Sequence, residues 1–473
     1  MRKVALAVSL FLVLSLSQMV LPAQAVSPAG KSCSVRGAVI VSSGKKFTCI
    51  KKGTKRVWNT GAYCQLWMPA LWVSGRKFIC TYNGNHLVWT RYIKPTPSPT
   101  PTQTVTPSPT QTVDPDNPSD GNVVSNTTID NKTFMGYQAW FECPGKTNGI
   151  NTFIHWFEPY TGSAAANLSV ELWPDTAELT ADEKCPTSMT SQTGKPMVAY
   201  SGTNQTTIRR HFSWMQQYRI DGVALQLFVS GLRDSVFGAR QDLIITRVKG
   251  AAEKYGRVFY LEYDMSSTLT AAQLVDYIET DWKKRVDAGV TNSPQYQREG
   301  GLPIVEIWGA GIGGSNAMTA TDMRTLQDFF HNNPDPKYRA KVIGGVGSYW
   351  RTGVGDGQPG QAWADTYRNF DVINPWAVGR FGSTYTSEGQ YYLQNVLIPD
   401  MAETSALGIK YMPVLWPGFS WNNLMRQRGT VSPSNQIPRK CGAFFWQQSV
   451  NALFSGAKTM FVAMFDEVEI GRA

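Results

Sequence analysis

The chain has 473 residues, 42% of them hydrophobic and 17% charged, with a formal net charge of +10. That is enough apolar material to bury a sizeable core and form more than one domain, which excludes a chain too polar to fold. The charge is uneven: residues 26–94 hold twelve Lys and Arg and no Asp or Glu, so everything after Lys94 is net negative, and two charge regimes imply two jobs.

Arg2 and Lys3 precede an apolar run from Val4 to Val20, and the small-x-small triplet Ala23, Gln24, Ala25 follows. This is the pattern of a secretory signal peptide over 1–25. A membrane anchor is the competing reading, but the run is short and broken by Ser9, Ser15 and Ser17. No later stretch reaches the ~18 apolar residues a spanning helix needs, so the expectation is a secreted, extracellular chain with no membrane span after cleavage.

Residues 26–94 contain an internal duplication. Cys33, Gly44, Phe47, Cys49, Gly53, Val57 and Trp58 recur 31 positions later as Cys64, Gly75, Phe78, Cys80, Gly84, Val88 and Trp89. Each unit is too short to bury much core, so in an oxidising compartment Cys33 with Cys49 and Cys64 with Cys80 are expected as staples of a β-rich region. Its basic charge suits an anionic cell-wall polymer rather than nucleic acid, the alternative being a Lys-rich surface kept for solubility. Trp58 and Trp89 read as core packing ahead of sugar platforms. From 95 to 120 the chain turns to Pro, Thr, Ser and Gln, an extended spacer.

After the linker, eight strand-like runs alternate with helical patterns: 133–141, 222–229, 257–265, 302–308, 340–346, 370–378, 410–417 and 459–465. In 241–255, Ile244, Val248, Ala251, Ala252 and Tyr255 share one helical face, and 270–287 and 439–457 behave similarly. β-branched runs with intervening helices argue for a parallel sheet buried on both faces, and eight of them for an α/β fold of the (β/α)8 TIM-barrel type over 121–473. An open doubly wound sheet is the competitor, but no Gly-x-Gly-x-x-Gly follows a first strand. The sequence stops soon after the eighth strand, so the barrel is expected to lack its eighth helix, with 145–197 or a partner over the uncovered face. Cys143 and Cys185 are expected to pair, leaving Cys441 as a buried thiol within a helix.

Catalytic groups in such barrels sit at the C-terminal strand ends. Those ends carry Tyr137 and Trp140, Gln226, Asp264, Glu306 and Trp308, Tyr349 and Arg351, Trp376, Trp421, and then Asp466, Glu467 and Glu469. Sugars need this mixture, since their C–H faces stack on aromatic rings while hydroxyls take amides, Arg and carboxylates. Glycoside cleavage needs two carboxyl groups, and on an extended chain Glu467 and Glu469 point the same way, roughly 6 to 7 Å apart. The competing reading is a solvated chain end. The four His residues show no metal-ligand spacing, and no metal or cofactor is expected.

The segments Gly136-Tyr-Gln-Ala-Trp-Phe141, Ile220 to Gln226, Tyr263 to Ser266, Ser348 to Arg351, Pro413 to Trp421 and Met464 to Glu467 resemble the bacterial glycoside hydrolase family 71/99-like group, from about Phe134 onward. Several of its members are labelled xylosidase/arabinosidase, and its family 99 relatives are endo-acting α-mannosidases on a (β/α)8 barrel. Their strand-eight Asn-Glu-Trp-His-Glu-Gly motif has a first Glu acting on the substrate's 2-hydroxyl and a second as general acid and base. The resemblance lays Asp466 on the Asn and Glu467 on the first Glu, while the second falls on Ile470. Glu469 could substitute by a one-residue shift, or the protein has lost hydrolysis. The expectation is therefore a secreted, wall-associated glycosidase acting on a mannan-, xylan- or arabinan-type glycan. Its catalytic residues are Glu467 and Glu469, and Tyr137, Trp140, Gln226, Asp264, Trp308, Tyr349, Arg351, Trp376, Trp421 and Asp466 meet the glycan. The alternative is a catalytically weakened glycan-binding protein.

Overall fold

The computed structural model describes residues 32, 39–42, 45–52, 55–58, 71–73, 76–83, 86–91, 123–158, 162–382, 388–427, 429–430 and 432–467. Glu469, Cys33 and Cys64, the leader 1–25 and the linker 95–120 lie outside them. The chain divides into two compact units, 1–106 and 107–473.

The first unit contains two three-stranded antiparallel sheets, Val39–Ser42 with Lys45–Lys52 and Lys55–Trp58, and Leu71–Val73 with Arg76–Asn83 and His86–Arg91. In the first, Ile40 faces Phe47 and Cys49 faces Trp58; in the second, Leu71 faces Phe78 and Cys80 faces Trp89. Phe47 and Cys49 are buried, and Cys49 is disulfide-bonded.

The second unit is a parallel barrel. Its strands are β1 (Lys132–Tyr137), β2 (Gly222–Phe228), β3 (Val258–Asp264), β4 (Leu302–Ala310), β5 (Lys341–Gly347), β6 (Val372–Trp376), β7 (Lys410–Tyr411, resumed as Val414–Leu415) and β8 (Thr459–Val462). Each pairs in parallel with the next from β1 to β6, and β8 pairs with β1. The ring closes through β7, whose first piece pairs with β6 and second with β8. Pro413 explains the break, since proline has no N–H to continue a ladder. The Met412 N–H still donates to Ile373 at 2.9 Å, and the Pro413 carbonyl accepts from Phe461 at 3.0 Å. Strand seven is therefore two short pieces rather than the continuous 410–417 expected from sequence.

Helices α1 (Gln205–Gln217), α2 (Phe237–Tyr255), α3 (Ala271–Asp287), α4 (Ala320–Asn332) and α5 (Gln361–Tyr367) each follow one strand from β1 to β5. A helical stretch formed by α6 (Glu388–Tyr392), a π segment (Leu393–Leu397) and α7 (Ile398–Leu407) follows β6, while α8 (Asn422–Gln427) and α9 (Ala443–Phe454) connect β7 to β8. Thr270 and Thr319 open α3 and α4 with capping boxes, each satisfying amides the first turn would leave without partners. Cys441 falls in a short 3-10 turn with φ of 53° and is exposed, which corrects the expectation of a buried helical thiol: the helix begins only at Ala443.

Between β1 and α1 the chain makes a long excursion with its own apolar cluster around Phe141, Trp156 and Tyr200, an antiparallel pair (Lys184–Thr190 with Pro196–Tyr200) and the disulfide Cys143–Cys185. Glu171 of this excursion accepts from the backbone N–H groups of Asn422 (2.6 Å) and Asn435 (3.1 Å), and Asn423 donates to the Val170 carbonyl (2.6 Å). The two longest connections at the C-terminal end of the barrel are thus clasped together.

Candidate active site

Alternation along each strand decides which side chains reach the lumen. On β3, Tyr260, Glu262 and Asp264 share one face, and the intervening Tyr263 points out to α3, where its hydroxyl donates to Asp281 at 2.9 Å. On β1 the same alternation sends Phe134 against Tyr260 and leaves Tyr137 outside, its hydroxyl 2.9 Å from Nδ1 of His211 on α1.

At the C-terminal end these inward positions open into a cavity of about 490 Å³. Its wall includes Gln138 and Trp140 after β1, Gln226 and Phe228 from β2, Asp264, Trp308, Trp376, Trp421 and Glu467. Trp308 and Trp376 meet edge to face with centroids 5.5 Å apart, Trp140 lies 5.4 Å from Phe228, and Trp421 lies 5.2 Å from Phe419. Among the described residues that line it, Asp264 and Glu467 are the ones that carry carboxyl groups. β8, β1, β2 and β3 are consecutive in the ring, so Asp264 at the end of β3 and Glu467 after β8 reach the mouth from strands three apart.

The floor is a chain of amides. Gln138 Nε2 donates to Gln226 Oε1 at 2.5 Å, and Gln226 Nε2 donates to Asp264 Oδ2. The other oxygen, Oδ1, accepts from the Ser266 N–H at 2.7 Å. Burial nonetheless raises the Asp264 carboxyl above its ordinary range, with hydrogen bonds from the Ser266 backbone, the Ser266 side chain and Gln226 pulling the other way. Three buried polar atoms in this wall, Gln138 Oε1, Trp140 Nε1 and Trp421 Nε1, make no hydrogen bond among the described residues. An unmade buried bond of this kind costs about 1 to 3 kcal/mol, which a hydroxylated ligand would relieve.

One layer below, Glu262 stands beside Glu306 in the β3–β4 register, and the Tyr260 hydroxyl donates to Glu306 at 2.9 Å. Burial pushes Glu306 up to about 8 against the pull of that hydroxyl. Glu262 is raised well above the carboxylate range by burial first, then by Glu306 and Asp264. Both are closed off beneath the floor and absent from the cavity wall.

Asp466 supports the site from behind. Its carboxylate accepts from the N–H of Gln138 (3.0 Å to Oδ1) and of Trp140 (3.2 Å to Oδ2), while Arg240 donates to the Ala139 carbonyl at 2.5 Å. Ala139 between them adopts a φ of 49°, a conformation that non-glycine residues hold only when the surroundings impose it. The effect is to turn both Gln138 and Trp140 into the cavity. Burial pushes the Asp466 carboxyl up to about 6, with backbone hydrogen bonds opposing.

Of the residues expected at the rim, Trp140, Gln226, Asp264, Trp308, Trp376, Trp421 and Glu467 are brought together. Four are placed elsewhere: Tyr137 is a core residue on His211, Asp466 holds the β1 turn, Tyr349 donates its backbone N–H to Asp356 (3.0 Å), and Arg351 pairs with Asp400 at 2.7 Å. Arg351 thus serves to neutralise a carboxyl that is 1% exposed. Gln138 and Arg380 were missed. Strand parity from Phe134 identifies Gln138, whereas Arg380, held by Asp356 at 2.7 Å, sits in a loop where no periodicity exists to read. Among the described residues no cluster of three or more His, Cys, Asp or Glu is arranged to hold a metal ion.

No family model matches the sequence, and no curated protein matches it. Among solved structures, the GH99 endo-alpha-mannosidase from Bacteroides thetaiotaomicron is 16% identical with a TM-score of 0.48, covering 72% of this chain and 86% of that one. The same enzyme with Bis-Tris propane gives 15%, a TM-score of 0.49, and 72% and 85% coverage. A family 5 glycoside hydrolase from Prevotella bryantii B14 is 11% identical with a TM-score of 0.39, covering 73% of this chain and 92% of that one. Likeness at this level says nothing about substrate or mechanism.

Proposed function

We propose that the barrel is a glycoside hydrolase whose two working carboxyls are Asp264 and Glu467. One observation carries the reading: one aromatic-walled cavity is lined by two carboxyl residues, and they come from strands three apart in the ring. Glycosidic cleavage takes one carboxyl to protonate the leaving oxygen and one to act at the anomeric carbon, as base on water or as nucleophile. Asp264 suits the acid, because burial favours its protonated form and hydrogen bonds from Gln226 and Ser266 fix its orientation. Glu467 suits the second role. The water's proton and hydroxyl end on the leaving sugar and the new reducing end, so no further reactant is required. Trp308, Trp376 and Trp421 offer faces for sugar rings.

The sequence resemblance to the family 71/99-like group points to the same chemistry. The strand-eight acid missing from its motif is then replaced from β3, and Glu469 is the competing replacement. Mannan-, xylan- and arabinan-type glycans are the substrates to try first. The leader pattern supports export, and the acid-free basic repeats support retention on an anionic wall polymer.

A second reading, binding without cleavage, is favoured by the fact that both Asp264 oxygens already accept protein donors. Release of reducing sugar from mannans, xylans and arabinans by the mature chain separates the two. Hydrolysis predicts release, lowered about 10²- to 10⁴-fold by Asp264→Asn. Binding of a glycan with no release by the wild type would leave the second reading standing.

A further inference from the structure

We infer that the sugar site continues past Trp140 and Phe228 into a second cavity at the start of α2, which takes further neutral sugar units of the same glycan. The inference rests on the glycan reading above and extends it to a part of the molecule that neither strand eight nor the catalytic pair reaches.

The second cavity measures about 450 Å³, nearly the size of the first, and shares Trp140 and Phe228 with it as a common wall. Each volume lies within the range of small-molecule sites, and two such spaces on one wall fit a ligand longer than either. Trp140 is stacked on His155 at 3.6 Å with the planes 8° apart, and His155 itself lines the second cavity, so the dividing wall is a fixed aromatic pair. Phe237, 44% exposed, also lines this space. Aromatic rings lining a cavity suit the C–H faces of a pyranose or furanose.

The polar groups select for a neutral ligand. Arg240 is engaged by Glu142 at 3.0 Å and by the Ala139 carbonyl at 2.5 Å, leaving its charge balanced. Asp234 Oδ1 accepts from the N–H groups of Val236 and Phe237, both at 2.8 Å. Among the described residues lining the space, Arg240 and Asp234 are the Asp, Glu, Lys or Arg side chains, so no unbalanced charge there favours a phosphate or a carboxylate. Gln241, 6% exposed, donates through Nε2 to the Phe228 carbonyl at 3.1 Å, while its Oε1 has no partner among the described residues. That oxygen is an unmet acceptor on a side chain lining the second cavity, the complement of a sugar hydroxyl.

The test is calorimetric titration of the mature Glu467→Gln chain with α-manno-, xylo- and arabino-oligosaccharides from disaccharide to hexasaccharide. The same ladder is run on that chain with Ser230→Trp added, and separately with Phe237→Ala. Ser230 is an exposed lining residue on the short turn Val229–Gly231, where an indole obstructs the cavity without entering the core. The inference predicts affinity rising about tenfold or more with length, a gain that both substitutions remove while disaccharide binding stays unchanged. A hexasaccharide bound no more tightly than a disaccharide, or a length gain that survives both substitutions, overturns the inference and leaves the glycan reading intact. Binding of no oligosaccharide at any length overturns both.

Discussion

At the level of single residues, the site depends on groups that never touch the cavity. Asp466 holds two backbone amides in a turn that Ala139 would not otherwise adopt. Replacing it by Ala leaves those N–H groups buried without acceptors, at about 1 to 3 kcal/mol for each group left unmet. Asp466→Ala is therefore expected to lower the thermal midpoint and to weaken glycan binding through Gln138 and Trp140, whereas Asp466→Asn retains part of both. Equal stability of Asp466→Ala and the wild type in a melting experiment would remove this role. The sequence shows why such roles are hard to assign: Asp466 beside Glu467 reads as part of an acidic cluster, and only the fold reveals that it faces the β1 turn. Tyr137 is a different case. Alternation from Phe134 places Gln138 inside and Tyr137 outside, so the error was one of parity and was legible.

At the level of elements, the order and parallel direction of the eight strands were readable from apolar runs separated by helical periods, because burial on both faces leaves that pattern in any chain. The break in β7 was missed, because 410–417 read as one strand, although Pro413 within it carries the signal. What was not readable is the clasp between the β1–α1 excursion and the β7–β8 connection. It rests on Glu171 meeting two backbone amides more than 250 positions away, a contact with no local signature. The excursion is stapled by Cys143–Cys185, 42 residues apart in sequence, a loop for which chain-entropy arguments give about 4 kcal/mol. Cys143→Ser with Cys185→Ser is expected to make the excursion the first part to open. Hydrogen exchange would show faster exchange across 140–200 and at Asn422 and Asn435, with strands β2 to β5 unchanged. Uniform loss of protection over the barrel would contradict this division.

For the whole molecule, buried carboxyls make stability depend on pH in a definite direction. Glu306, Asp400 and Asp466 are pushed up to about 8, 7 and 6, in each case chiefly by burial. A carboxyl raised in the folded state contributes stability that is present below its unfolded value and lost as pH rises through its folded value. Opposing groups such as Glu183 and Asp371 are held low by Arg210 and by His331 with Lys341, despite burial, and their contribution is lost only in acid. The chain should therefore melt at a higher temperature at about pH 5 than at about pH 8, and Glu306→Gln should reduce that difference. A midpoint that rises from pH 5 to pH 8 would contradict the assignment.

The central claim is that Asp264 and Glu467 act as one catalytic unit across the barrel mouth. Its most direct test is kcat on the best glycan for Asp264→Asn, Glu467→Gln and the double variant, with Glu469→Gln beside them. Residues acting together give strongly non-additive losses, so the double variant should be no slower than the worse single one by more than a few-fold, and Glu469→Gln should stay near wild type. A wild-type kcat in Asp264→Asn, with activity abolished by Glu469→Gln, would contradict the account and return the missing acid to strand eight.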